Sequence, residues 1–173
     1  MLHISPSAQV MAMQAKLPDA KAVGRAGEVF DVELANFVTK SVETPSGLPF
    51  GQPAARPADP AKDRCCRLMV PGARFLGLAA LEDGGFARDP NNPNAFPQFI
   101  PAAIMTKGYM TVIAGGPVTA GQPVVWNVET GQYSSVQPDD DNLAIPGAVF
   151  ESHASKGETV ALSLGCRPQE VGA

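Results

Sequence analysis

Two related segments of this 173-residue chain occur as a pair, and the pair occurs twice. The first pair is Gly51-Gln52-Pro53-Ala54-Ala55 and Val70-Pro71-Gly72-Ala73-Arg74-Phe75. The second pair is Gly121-Gln122-Pro123-Val124-Val125 and Ile145-Pro146-Gly147-Ala148-Val149-Phe150. The pairs are offset by 70 residues at their first segments and by 75 at their second, which indicates a five-residue insertion. Such self-similarity predicts one supersecondary unit used twice, at about 47–81 and 117–155.

Glycine and proline are abundant in this chain, with 17 of each. Both residues are disfavoured inside helices and strands, so their number predicts many turns between short strands. In each repeated segment, glycine and proline precede small or branched apolar residues, a pattern typical of a turn followed by a strand. We therefore expect an all-β fold, a jelly-roll-like sandwich or barrel built from the duplicated strand-turn unit. We expect an extended N-terminal arm at 1–25 and a single β-domain at 26–173.

The segment from Phe30 to Val42 alternates between apolar and polar residues, which favours a long half-buried strand. A helix with Phe30, Leu34, Phe37 and Val38 on one face is the alternative. Further strands are predicted around the Pro-Gly pairs and in the second half of the chain. They are Cys65–Val70, Arg74–Leu81, Ala102–Ala114 with a weak point at Gly108, Pro123–Val128, Gln132–Val136 and Thr159–Leu164.

A long connection at 83–99 is rich in glycine, proline and asparagine and also contains three phenylalanines. Loops of this length are usually functional or disordered, and their aromatic side chains need a surface that buries them. That surface is either this domain or a partner. We expect the loop to face the capsid or a neighbouring subunit, and deletion of 86–97 to leave a folded domain. The arm is expected to become ordered against a neighbouring subunit, with a frayed terminus as the alternative. The residues placed at this interface are Phe86, Arg88, Phe96, Phe99, Val10 and Met13.

Groups for catalysis or metal binding are scarce. The two histidines, His3 and His153, and the three cysteines are not spaced as zinc ligands or as a cysteine-hydrolase signature. The acidic run at 139–141 lacks the alternating ligands of a calcium loop and is interpreted as a solvated turn. We predict no catalytic residues, no metal site, no cofactor and no enzymatic activity. A cysteine-dependent enzyme that uses Cys65 or Cys66 is the opposing hypothesis.

The charge and the hydropathy of the chain narrow the range of partners. The formal net charge is −4, whereas binding to phosphate backbones requires clustered lysine and arginine. No apolar run approaches the eighteen residues that a membrane-spanning helix needs. Neither nucleic acid nor a membrane is therefore expected as a partner.

Four stretches resemble the structural cement (capsid decoration) proteins of tailed bacteriophages, of the kind that coats HK97-type shells. The stretches are 102–108 (AAIMTKG), 118–125 (VTAGQPVV), 130–133 (TGQY) and 145–152 (IPGAVFES). The resemblance covers roughly Gly47 to Leu164. It implies a non-catalytic β-protein that forms a homo-oligomer, a dimer slightly favoured over a trimer. It also implies binding to the phage major capsid protein on the outer face of the virion, after synthesis in the host cytoplasm.

A second hypothesis is a small-ligand or carbohydrate-binding β-module on the virion surface. Its binding platform would consist of exposed Trp126, Tyr109 and Tyr133, on which sugar rings would stack. Aromatic residues make up only 6% of the chain, which disfavours this function.

Overall fold

The computed structural model describes residues 24–30, 35–82 and 92–165 of the chain. This part of the chain is built from strands and contains one short 3-10 turn, Pro60–Lys62, so the predicted all-β class is confirmed. The strands, in chain order, are β1 (Asn36–Val42), β2 (Leu48–Pro49), β3 (Pro53–Ala55), β4 (Cys65–Leu68), β5 (Phe75–Ala79), β6 (Ala95–Phe96), β7 (Pro101–Ile113), β8 (Pro123–Asn127), β9 (Tyr133–Ser134), β10 (Asn142–Phe150) and β11 (Thr159–Leu164).

Five strands close into a small barrel in the order β1-β4-β3-β5-β7, and β7 pairs back to β1. Strand β1 runs parallel to β4, and the other pairs in the ring are antiparallel. A barrel with so few strands has a narrow interior. Small or short apolar side chains fill it, and they belong to one of the two buried clusters of the protein. They are Val42, Ala54, Cys66, Ala79, Ala102 and Ile104.

The 13-residue strand β7 is shared between this barrel and the second half of the fold. Its first half pairs with β1 and β5, and its second half, from Gly108, pairs with β11. Strands β11, β10, β8 and β9 then follow one another, and a bridge between Ala114 and Tyr133 brings β9 back to the end of β7. A larger buried cluster, which includes Trp126 and Phe150, fills this half.

Gly108 lies where β7 changes partners. Its φ of 139° is a backbone conformation that other residues rarely adopt, and a Cβ there would lie 2.9 Å from Met105 Sδ and 3.0 Å from Ala35 Cβ. Gly108, the predicted weak point of β7, thus lies at the junction between the two halves of the fold, where a side chain would not fit.

The two Gly-Gln-Pro segments make the same turn. The φ of Gly51 is 75° and that of Gly121 is 89°. The Gly51 N–H donates to the carbonyl oxygen of Ala79 at 2.7 Å, and the Ala79 N–H donates to Gln52 O at 2.9 Å. In the second copy, the Gly121 N–H donates to Phe150 O at 2.8 Å, and the Phe150 N–H donates to Gln122 O at 3.0 Å.

The two Pro-Gly segments differ from each other. Pro71-Gly72 forms a turn before β5, as predicted. Pro146-Gly147 lies within β10, so the predicted chain reversal there is wrong. The pairing of β10 with β8 shifts register between Ala144 and Val149, because this stretch bulges away from β8 before the strand pairs with β11 from Ala148 to Phe150.

Polar contacts from the first Gly-Gln-Pro turn join the barrel to the second half. The Gln52 side chain accepts a hydrogen bond from Trp126 Nε1 at 2.6 Å and donates one to Gly131 O at 2.7 Å. The buried Tyr133 hydroxyl donates to Gly51 O at 2.5 Å. The indole N–H of Trp126 and the hydroxyl of Tyr133 therefore both have hydrogen-bond partners in the core.

The described part of the 30–42 segment is a strand from Asn36 onwards, so the helical alternative is wrong there. Val38 and Val42 face the barrel interior, and Phe37, on the opposite parity, is 42% exposed. Residues 31–34 lie outside the described residues.

The described end of the 83–99 connection is part of the folded domain. Strand β6 pairs with β2, and the Phe96 side chain is 0% exposed. Its ring meets that of Phe50 edge-on, with centroids 5.0 Å apart and planes at 85°. The expectation that 86–97 can be deleted without loss of folding is therefore wrong, because deletion would remove both a paired strand and a core side chain.

The buried thiol of Cys66 predicts a pH dependence of stability. Burial inside the barrel, with a smaller effect from Cys65, raises its pKa from 9.0 to about 12. Above pH 9 the unfolded chain loses the thiol proton while the folded protein keeps it. The thiol's contribution to the free energy of unfolding is therefore fully present below pH 9 and is lost as the pH rises towards 12. We expect the free energy of unfolding of the wild type to fall relative to that of Cys66→Ala over this range. Urea denaturation of both proteins at matched pH measures this, and a constant difference would contradict the prediction.

Candidate interaction surface

Phe99 presents an aromatic side chain to solvent from a fixed backbone. The side chain is 73% exposed, the largest value among the exposed large apolar residues of the described chain. Its φ of 66° makes it the only non-glycine residue with positive φ in the described part of the chain. Its N–H donates to Val42 O at 2.7 Å, and the neighbouring Gln98 side chain donates to Glu43 O at 3.0 Å. These bonds tie Phe99 to the end of β1.

Strained backbone at an exposed aromatic residue suggests a role in binding. A non-glycine residue with positive φ costs on the order of 1–3 kcal/mol, so the surrounding structure must hold it in place. A buried phenylalanine typically removes about 150–250 Å² from water, and only a minor part of that gain is realised within this domain, because the residue is mostly exposed. A partner with an apolar pocket would realise it.

A second exposed surface, which is partly apolar and partly polar, lies on the outer side of β1 and β7. Phe37 and Thr39 of β1, Ala103 of β7, and residues 28–29 and 80–82 line a groove of about 550 Å³. Nearby, the half-exposed ring of Phe30 packs against Tyr109 with centroids 5.8 Å apart. The sequence reasoning did not place Phe30 or Phe37 at an interface, although Phe37 lies on the solvent-facing parity of its strand.

The predicted interface residues do not form one group. Phe99 is exposed, whereas Phe96 is buried in the core and supplies no area to a partner, so its predicted interface role is corrected. Alternation distinguishes inner from outer residues only within strands, so it does not separate these two loop phenylalanines. Val10, Met13, Phe86 and Arg88 lie outside the described residues.

The sequence matches the family described as structural cement protein (E217 gp24/Pam3 gp6) over residues 13–165. The chain belongs to this family. This cement protein is also similar to a chain from a solved structure of the capsid of Myoviridae phage XM1, with a TM-score of 0.61 and 15% sequence identity. The similarity covers 82% of this chain and 89% of that chain, and at this identity it concerns the fold. No curated protein matches the sequence.

Membership of the family makes the chain a structural protein of a phage capsid, and cement proteins are not normally enzymes. Two of the three aromatic residues that the carbohydrate hypothesis places on its platform are buried in this cement protein, and the third, Tyr109, is partly exposed beside Phe30. Trp126 and Tyr133 are 1% and 0% exposed, and burial raises the pKa of Tyr133 well above its usual value. Their rings fill the core, so no sugar can stack on them.

The cysteines in the described part of the cement protein are free thiols, Cys65 half-buried and Cys66 buried, and Cys166 lies outside that part. His153 is exposed, and His3 also lies outside the described residues. No three His, Cys, Asp or Glu side chains of residues 24–30, 35–82 and 92–165 are placed to hold a metal ion. The same residues contain no helix long and apolar enough to span a membrane.

The acidic run forms a turn held by its own first carboxylate. Asp139 accepts hydrogen bonds from the main-chain N–H groups of Asp141 and Asn142 at 2.9 and 2.8 Å, and from the Asn142 side chain. Hydrogen bonding, first from the Asn142 side chain, lowers the pKa of Asp139. Asp140 and Asp141 are exposed at this turn.

Proposed function

We propose that this protein binds the outer surface of an icosahedral phage head and stabilises it by bridging capsomers. The match to the structural cement family over residues 13–165 carries this proposal. The exposed, strained Phe99 supports it, because a protein that joins subunits needs side chains that bury area only on assembly. The protein would be made in the host cytoplasm and act on the assembled shell.

Linkage explains how such binding would stabilise a shell. A protein that binds the assembled form but not the separate subunits shifts the equilibrium towards assembly. Each contact needs only about 800 Å² per partner to be specific, and oligomerisation raises the overall affinity through effective concentration. The proposed oligomer is a dimer in preference to a trimer. The arm at 1–25, together with Val10, Met13, Phe86 and Arg88, stays a predicted contact region.

We also propose that the protein has no enzymatic activity, no cofactor, and neither nucleic acid nor a membrane as partner. Family membership supports the first point, and the position of Cys66 inside a packed barrel disfavours it as a nucleophile. A variant with all three cysteines replaced by serine or alanine should, when folded, attach to shells as the wild type does. Loss of attachment by that folded variant would favour the cysteine-dependent hypothesis.

Thermal disruption of shells tests the main proposal. Shells assembled with the protein should open at a higher temperature than shells without it, measured by light scattering or release of a packaged dye. A folded variant that does not attach provides the control for added protein. Equal disruption temperatures with and without bound protein would contradict a stabilising role.

Replacement of Phe99 separates attachment from folding. We expect Phe99→Gly to be at least as stable as the wild type, because glycine adopts a positive φ without strain. We expect its affinity for undecorated shells to fall by about tenfold or more, since a central aromatic anchor typically contributes about 2 kcal/mol or more. Chemical denaturation and binding of labelled protein to shells measure the two effects. Val136→Ala, an exposed apolar site in the second half, is the control, and unchanged affinity of Phe99→Gly would remove Phe99 from the interface.

A further inference from the structure

A basic pocket lies against the barrel and is lined by residues in or next to β1, β3, β4 and β5. Lys40, Arg56 and Arg74 line it together with the carboxylate residue Asp63, and its volume is about 220 Å³. Three cationic side chains therefore meet one anionic side chain at this pocket. The charges around it favour an anionic ligand.

The backbone around the pocket is held in place. The Arg56 N–H donates to Arg74 O at 2.9 Å, which keeps the two arginines side by side at the edge of β3 and β5. The 3-10 turn Pro60–Lys62 closes the opposite wall, and Asp59 caps it by accepting from the Ala61 N–H at 2.9 Å. The Lys40 ammonium donates to the main-chain oxygen of Asp63. These bonds fix the backbone from which the two arginine side chains extend.

The two guanidinium groups have no anionic partner within the described part of the chain. The ion pair of this region joins Lys62 to Glu43 at 3.0 Å and leaves Arg56 and Arg74 unpaired. Guanidinium binds carboxylate through two parallel hydrogen bonds, which makes a carboxylate side chain a suitable ligand.

The charge of the protein is divided between its two halves. Residues 35–82 contain six Lys or Arg and four Asp or Glu, whereas residues 108–165 contain one lysine and six Asp or Glu. At the acidic end, the Asp139 hydrogen bonds fix the turn so that Asp140 and Asp141 are exposed. No ion pair within the described residues joins this turn to the basic pocket of the same chain.

We propose that the pocket formed by Lys40, Arg56 and Arg74 receives the acidic turn at 139–141 of a second copy of this chain. Two exposed carboxylates on a fixed turn match two unpaired guanidinium groups on a fixed wall, and the opposite charges of the two halves orient the copies as they approach. In a two-fold dimer the contact forms twice, because each copy supplies one pocket and one turn. This proposal specifies a contact within the proposed homodimer, and it rests on that part of the proposed function.

Charge reversal on the two sides tests the contact in the full-length protein. The pocket variant is Arg56→Glu with Arg74→Glu, and the turn variant is Asp140→Lys with Asp141→Lys. A matched control, Arg64→Glu with Lys107→Glu, changes the net charge as the pocket variant does but lies outside the pocket. Sedimentation equilibrium gives the self-association constant of each protein, and circular dichroism establishes that each is folded.

We expect each charge-reversed variant to be monomeric, the control to associate as the wild type does, and an equimolar mixture of the two variants to regain association. The dissociation constant of the wild type should rise about tenfold or more between ~50 mM and ~500 mM salt, because screening shortens the reach of the charges. Failure of the mixture to associate, association of either variant at wild-type strength, or a monomeric wild type would overturn the proposal.

Attachment to shells, measured separately, keeps the two proposals distinguishable. A wild type that attaches and stabilises shells yet stays monomeric in solution and on the shell would overturn the self-contact and leave the proposed function intact. If, instead, attachment of such a monomer is lost in the pocket variant but kept in the turn variant, the pocket binds an acidic segment of the capsid. That result also overturns the second copy as occupant.

Discussion

Replacement of Phe96 by alanine is expected to lower the free energy of unfolding by about 3–5 kcal/mol. The side chain is 0% exposed and lies at the end of the barrel, edge-on to Phe50. Truncation would leave a cavity among side chains that belong to short strands, and β6 would lose much of the burial that holds it against β2. Urea denaturation followed by circular dichroism measures the loss.

The matched control for this experiment is Phe99→Ala, only three residues away. Phe99 is 73% exposed, so its truncation should change stability by less than about 1 kcal/mol. Equal losses of stability for the two variants would contradict the assignment of Phe96 to the core and of Phe99 to the surface.

Replacement of Gly77 by alanine is expected to destabilise the protein by about 3 kcal/mol, at the upper end of what overpacking usually costs. A Cβ at this buried position would lie 2.4 Å from Met105 O and 2.8 Å from Ile104 Cγ2. The first of these is a backbone atom of β7, so relief of the clash requires β5 and β7 to move apart. These two strands form one of the seams that close the barrel.

Gly116→Ala is the control for the change from glycine to alanine. No atom lies within 4 Å of the position of its added Cβ, and its φ is not positive. This variant should be neutral or slightly more stable, because alanine restricts the unfolded chain more than glycine does. If Gly77→Ala matched Gly116→Ala in thermal denaturation, the barrel would be wider than the structure shows.

The two halves of the protein have complementary tasks in the proposed function. The barrel carries the exposed Phe99 and the basic pocket, and the second half carries the acidic turn and most of the large core side chains. The Gln52 and Tyr133 hydrogen bonds connect the two halves. A load that a capsid contact applies to the barrel would thereby be transmitted to the larger core.

Local chemistry was sufficient to predict the fold class, most turns and most strands. Glycines such as Gly51, Gly72 and Gly121 need a positive φ wherever the chain turns, and alternation along β1 separates Val38 from Phe37 without reference to other strands. The same local patterns, taken in order, were sufficient for the resemblance to the cement family. These inferences hold because backbone preference and side-chain parity act between near neighbours in the chain.

Tertiary structure alone decided which strands meet and which loop side chains are buried. Closure of the barrel depends on the pairing of β1 with β7, whose paired residues lie sixty or more positions apart in the chain, as Phe37 and Met105 do. Pro146-Gly147 bulges rather than turns because β8 pairs with β10 on both sides of this stretch and β11 pairs with the residues that follow it. Phe96 is buried because β2 places Phe50 beside it, whereas Phe99 has no such neighbour and lies exposed. Burial is a property of the assembled surroundings, so no pattern within the 83–99 segment distinguishes these two residues.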